Sequence, residues 1–266
     1  TSLSPSSATA ETLVAIDGSL FLANGGDTYD PVTDKVRFTG EAGKVDAEIL
    51  SWQANRIRAY VPKDALDGPI YVDIGSASVS SPSPFTVLPK IDALNPNKAR
   101  VGDSILIEGS GFLPQRSDNS WVLFGDLIAE EVVFWSNRVV EVKVPNGVTP
   151  SVVKVTTNNG TSNSVAFTPI PNITSLSRYR GHVGALLTIY GTSFGAFMGS
   201  SKVVFTPDLY TPPTNILSWS DSQVVLTVPQ GAETGPLYLV VNSLNSNEVM
   251  FIVTLPPPSI LNLSQY

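Results

Sequence analysis

The 266-residue chain has no cysteine and a single histidine, His182. Without thiols there is no disulfide framework, no thiolate zinc site and no cysteine nucleophile, which fits a cytosolic protein or a cysteine-poor bacterial surface protein. One histidine also leaves nucleophile-and-base pairs scarce. Charge is thin: charged residues make up 15% of the chain against 42% hydrophobic. Acids outnumber bases along its whole length, 11 to 7 over residues 1–90, 8 to 6 over residues 91–170 and 4 to 3 over residues 171–266, for a net charge of −7. No basic stripe exists, so nucleic acid and anionic membrane surfaces are poor partner candidates, since neither gains from an acidic surface. No stretch is long and apolar enough to span a bilayer, and the first residues lack the basic and apolar regions of a signal peptide. Thr1-Ser2-Leu3-Ser4-Pro5 matches the interior of a later segment, Ile173–Ser177, which reads as a start inside a repeat, with any targeting signal lying upstream.

What the chain does contain is Val, Ile, Thr, Ser, Gly and Pro, the composition of short strands joined by tight turns. It also repeats. Leu3, Leu94, Leu176 and Leu263 open equivalent segments. Each segment continues into an apolar alternation that closes on glycine and phenylalanine: Gly18 to Phe21, Gly109 to Phe112 and Gly191 to Phe194. A Val-x-Phe marker follows at Val36-Arg37-Phe38, Val122-Leu123-Phe124 and Val203-Val204-Phe205. Then comes a tryptophan ahead of a strand ending in Val-Pro: Trp52 to Pro62, Trp135 to Pro145 and Trp219 to Pro229. The tryptophans are spaced by 83 (135−52) and 84 (219−135) residues, and so are the prolines. Spacing held to one residue implies a shared core. Period-two alternation puts Ile57, Ala59 and Val61 on one face with Arg58 and Tyr60 on the other, and Val140, Val142 and Val144 against Glu141 and Lys143. Half-buried strands with turns between them, in units of about 85 residues, are the pattern of a two-sheet antiparallel sandwich. Each unit closes on Phe85-Thr86-Val87, Val165-Ala166-Phe167 or Met250-Phe251-Ile252-Val253.

The order I-x-x-L-x-P, G-x-x-F, V-x-F, tryptophan before V-P, then G-P at Gly68-Pro69 and Gly235-Pro236, resembles the IPT/TIG family of immunoglobulin-like domains; the second repeat has Thr149-Pro150 instead. The resemblance implies an all-β fold of three tandem immunoglobulin-like antiparallel β-sandwich domains in an elongated array. Its expected domains are residues 1–89, 90–170 and 171–256, with 257–266 a linker and the start of a fourth repeat. Family members serve as spacers of bacterial surface proteins, in glycan-binding lipoproteins, in receptor ectodomains and in some transcription factors, so function has to come from sites.

Four features were candidates for chemistry. Gly191-Thr192-Ser193-Phe194-Gly195 matches the nucleophile-elbow pattern, but His182 precedes the serine and no helix is expected after it, so the structural reading is preferred. In the first repeat, Asp27, Asp30 and Asp34 lie on an inserted loop with glycines; oxygen donors on a flexible loop suit calcium, while a solvated polar turn is the preferred reading. Trp52, Trp135 and Trp219 are expected in the core as large apolar plugs. Trp121 should point outward, since Val122 and Phe124 point in, and it offers a contact for a sugar ring or a protein, while packing against a neighbouring domain or its own loop is the preferred reading; Tyr210 offers a weaker contact. Proline-rich joints at Leu88-Pro89-Lys90, Pro169–Asn172 and Leu255–Pro258 imply semi-rigid spacing. The expectation is therefore a non-catalytic, extracellular, cell-surface stalk or fibre segment without a cofactor, its partners the neighbouring domains of a longer chain, itself, or a glycan. The rival expectations are a surface glycan-binding protein and the accessory domains of a secreted carbohydrate-active enzyme.

Overall fold

The computed structural model describes residues 2–22 and 29–256. Three β-sandwiches follow one another. In each, one sheet has four antiparallel strands in the same order. The first sandwich places Ser2–Ser4, Leu13–Asp17, Arg56–Tyr60 and Ile49–Trp52 side by side; the second places Lys90–Asn95, Ser104–Ser110, Val139–Lys143 and Val132–Trp135; the third places Asn172–Leu176, Leu186–Thr192, Gln223–Thr227 and Ile216–Ser220. The facing sheets are built on Lys35–Gly40, Trp121–Phe124 and Lys202–Thr206, each antiparallel to a neighbour on either side. Among the described residues the one helical element is a 3₁₀ turn, Pro213–Asn215.

The opening segment of each repeat changes sheets partway along. Its first half pairs antiparallel with the second strand, and its continuation pairs parallel with the last strand: Ser7–Thr9 with Thr86–Leu88, Lys98–Ala99 with Val165–Pro169, and Arg180–His182 with Val249–Thr254. One segment thus borders both sheets, leaving less open strand edge.

The expected periodicity is borne out in the burial. Ile57, Ala59 and Val61 are buried with Arg58 exposed, and Val140, Val142 and Val144 are buried against half-buried Glu141 and Lys143. The two phenylalanine markers of each repeat, far apart in sequence, meet edge to face in its core. Phe38 and Phe85 lie 5.4 Å apart between ring centroids, Phe124 and Phe167 5.0 Å, and Phe205 and Phe251 5.7 Å. Such pairs add roughly 0.5–1.5 kcal/mol beyond the area they bury.

The chain divides into two compact units. One holds the first sandwich and most of the second; the other holds the third together with Lys98–Asp103 and Asn146–Pro150. The expected fourth repeat lies outside the described residues.

Candidate functional site

The Gly-x-x-Phe segments form the same closure three times. The third position is left-handed in each: φ is 64° at Leu20, 70° at Gly111 and 60° at Ser193. This turn swings the phenylalanine ring back over the glycine. At Gly109 and Gly191 a Cβ would collide with that ring and with the Lys90 or Asn172 carbonyl oxygen. Ser193 is thus the serine version of a turn that leucine and glycine make elsewhere, and its side chain is buried, 6% exposed. No helix follows it.

Trp52, Trp135 and Trp219 differ from their expected place. They are only partly buried, at the rim of the core. Each indole Nε1–H donates to the carbonyl of the Gly-x-x-Phe phenylalanine, Trp52 to Phe21 at 2.8 Å, Trp135 to Phe112 at 2.8 Å and Trp219 to Phe194 at 2.9 Å. A polar end facing a carbonyl explains why the rings stay at the rim.

Two asparagines that the sequence reading passed over complete the closure. Asn163 Oδ1 accepts from the Ile91 N–H at 2.8 Å while its Nδ2 donates to the Ile91 carbonyl at 3.0 Å. Asn247 does the same for Ile173, at 2.7 and 2.9 Å. Both isoleucines sit beside a bulge, where the ladder leaves backbone groups unpaired. The serine before each asparagine caps the adjoining strand, Ser162 accepting from Val155 N–H and Ser246 from Leu239 N–H. Ser-Asn-x-x-x-Phe recurs at Ser162–Phe167 and Ser246–Phe251 and was a readable signal; the first repeat has Ser81-Pro82-Ser83-Pro84-Phe85.

The aspartate loop is described from Tyr29 onward, and Asp27 lies outside the described residues. Asp30 accepts from the Val32 N–H at 2.9 Å, and Asp34 accepts from the N–H groups of Asp30 at 3.0 Å and Gly75 at 3.1 Å. Both carboxylates thus tie the loop to itself and to the neighbouring hairpin. Tyr29 stacks on Trp52 with centroids 5.0 Å apart, and burial, with the charges of Asp34 and Asp30, raises its hydroxyl pKa. Among the described residues no three metal-ligating side chains gather.

Trp121 and Tyr210 fall on the outer face of the equivalent sheet in successive sandwiches. Trp121 is half-buried and lies opposite Thr156; Tyr210 is 56% exposed. The central cross-strand row of this face differs in every copy: Asp46–Arg37–Tyr71 in the first, Ile128–Leu123–Lys154 in the second, Tyr210–Val204–Tyr238 in the third. In the third, Val204 has no exposed surface although it belongs to the outer face, flanked by the two tyrosines. Lys202 Nζ stands 4.2 Å from the Tyr210 ring centroid. Burial foremost, with Asp208 and other nearby groups, raises the Tyr238 pKa. In the first sandwich Lys44 covers Tyr71 at 3.8 Å and Arg37 pairs with Asp73.

A family model for the IPT/TIG domain matches residues 89–169 and 171–253. The chain belongs to that family of immunoglobulin-like domains, and residues before 89 fold with the same strand order. No curated protein matches the sequence. Among solved structures, the chain is similar to the surface glycan-binding protein PbSGBP-B from Prevotella bryantii, at 17% identity over 62% of this chain and 42% of that one, with a TM-score of 0.39. It is similar to a Bacteroides ovatus SGBP-B in complex with a mixed-linkage heptasaccharide, at 13% identity over 93% and 65%, TM-score 0.26. It also resembles the extracellular region of plexin A4, at 14% identity over 91% and 22%, TM-score 0.26. The chain spans 59%, 42% and 49% of the first three such structures.

Proposed function

We propose that this chain is a non-catalytic structural and adhesive module of a cell surface, a semi-rigid stalk or fibre segment of a longer extracellular protein. One observation carries the reading: the three copies keep the same closing contacts and change the outer sheet face residue by residue. The edge-to-face phenylalanine pair and the tryptophan bond recur in all three, whereas the central outer row changes at every position, from Asp46–Arg37–Tyr71 to Ile128–Leu123–Lys154 to Tyr210–Val204–Tyr238. A repeated frame with a variable face suits spacing and contact. Small-angle scattering of the whole chain tests it. A single compact body of this length would have a radius of gyration of about 18 Å; a stalk gives a clearly larger value and a long tail in the pair-distance distribution, and a compact value overturns the reading.

A second reading, glycan binding, is favoured by the Tyr210–Val204–Tyr238 row. Two aromatic rings bordered by Lys202 and Asp208 offer stacking surface together with hydrogen-bonding groups of both signs, the combination a neutral pyranose ring uses. A glycan array on which the wild type, Trp121→Ala and Tyr210→Ala behave alike removes it.

A further inference from the structure

One loop of the first sandwich, Lys63–Asp67, meets the second sandwich at three places. At the first, four side chains form a closed ring of alternating charge. Lys63 Nζ lies 3.2 Å from both a Glu11 and an Asp92 carboxylate oxygen, and Lys90 Nζ lies 2.6 Å from Glu11 and 3.3 Å from Asp92. Glu11 and Lys63 belong to the first sandwich, Lys90 and Asp92 to the opening strand of the second. At the next place Arg138, in the turn between Val132–Trp135 and Val139–Lys143, donates Nη1–H to the Lys63 carbonyl at 3.3 Å, with Nε 3.5 Å from Asp64. At the last, Asn159 lies in the turn between Ser151–Thr157 and Gly160–Thr161. Its Nδ2 reaches both Asp67 carboxylate oxygens, at 2.9 and 2.8 Å, and the Val87 carbonyl at 2.9 Å. Asp67 in turn accepts from the Val87 N–H at 2.8 Å.

Each exposed ion pair alone contributes little, because solvent screens it and two long side chains must be ordered to form it. The ring lowers that ordering cost, since every member serves two partners. More decisively, the contacts are spread over two hairpin turns and the linker strand, so swinging about the linker breaks at least one set. We propose that the first and second sandwiches move as one rigid arm, locked by the Lys63–Asp67 loop against the Arg138 and Asn159 turns. The residues after Val-Pro in the second repeat, Asn146-Gly147-Val148-Thr149-Pro150, carry no charge, unlike Lys63 and Asp64 after Val-Pro in the first.

The inference rests on the scaffold reading only for its use. A distance measurement across this joint, by double electron–electron resonance, tests it, and the cysteine-free chain accepts labels cleanly at Ser76→Cys and Asp126→Cys, both exposed. The wild type is expected to give one narrow distance peak, and Lys63→Ser/Asp67→Ser/Arg138→Ser a broad or multiple one with unchanged circular dichroism. Asn159→Asp, which sets two carboxylates face to face, broadens the peak without the triple change, and adding Asp67→Asn narrows it again. A broad wild-type peak, or a narrow one in the triple variant, overturns the lock. Scattering reads the whole chain and this experiment one joint. A compact chain with a narrow peak sinks the stalk alone, and an extended chain with a broad peak sinks the lock alone.

Discussion

Trp135 and Phe112 are joined through a backbone carbonyl: the indole Nε1–H points at the Phe112 oxygen, 2.8 Å away, and at the Leu113 oxygen, 3.2 Å away. The ring is held by this bond and by the core edge it covers. Trp135→Phe keeps an aromatic ring and removes the donor. The expected loss is about 1–3 kcal/mol, the cost of leaving a partly buried acceptor unmet, read as a lower denaturation midpoint in urea with an unchanged slope. Trp219→Phe is expected to behave alike, because Phe194 meets the same bond.

The asparagine clamps make a sharper prediction. Asn247→Ala leaves both the N–H and the carbonyl of Ile173 without their side-chain partner. A loss of about 1–3 kcal/mol per unmet group follows, and the Ile173 amide is expected to lose its protection in hydrogen exchange. Asn247→Asp keeps the acceptor and discards the donor, so it falls between wild type and alanine. Equal exchange rates in all three proteins would contradict the clamp.

Gly109→Ala and Gly191→Ala test the folded-back phenylalanine. The added methyl group meets a backbone carbonyl that cannot move without breaking the neighbouring strand, as well as the Phe112 or Phe194 ring. Destabilisation of about 3 kcal/mol, the upper end of the usual overpacking cost, is expected. Thermal unfolding reads it directly.

The charged ring between the first two sandwiches sets a pH window. Hydrogen bonds from Lys90 and Lys63 hold the Glu11 pKa below its usual value; at Asp92 burial opposes the shift, and the bonds from Lys63 and Lys90 outweigh it. The same bonds raise the Lys63 and Lys90 pKa values. A depressed carboxylate contributes above its unfolded pKa and stops as pH falls through the folded one. A raised lysine contributes below its unfolded pKa and stops as pH rises through the folded one. The ring's contribution is therefore complete between about pH 5 and pH 10, and is lost as pH falls through the lowered carboxylate values or rises through the raised lysine ones. The distance peak across the joint is expected to stay narrow throughout that window and to broaden in strong acid, as Glu11 and Asp92 lose their charge.

Much of the frame was legible in the sequence. Val122 and Phe124, Val203 and Phe205, and the Val-Pro ends alternate with period two because one face of each strand is buried, and burial leaves a pattern in the sequence itself. The tryptophans were legible as equivalent but not in place: a large ring predicts the core, and only the position of the Phe carbonyl shows why it stops at the rim. Asn163 and Asn247 left a recurring Ser-Asn-x-x-x-Phe pattern but no sign of what they bind, since their partners Ile91 and Ile173 lie 72 and 74 positions away. The Lys63–Asp67 loop carried no signal for the same reason. Its partners Arg138 and Asn159 belong to another repeat, and a contact between repeats has no period to reveal it. Trp121 was legible as outward-facing, while the Tyr210–Tyr238 row was not, because cross-strand register decides which side chains share a face.

Pulling the chain from both ends in a single-molecule force experiment tests most directly the claim that it is a string of three like sandwiches. The account predicts three separate unfolding events, each releasing about 80 residues and lengthening the chain by roughly 300 Å at 3.6 Å per residue. One event releasing the whole chain, or steps of plainly unequal length, would contradict it.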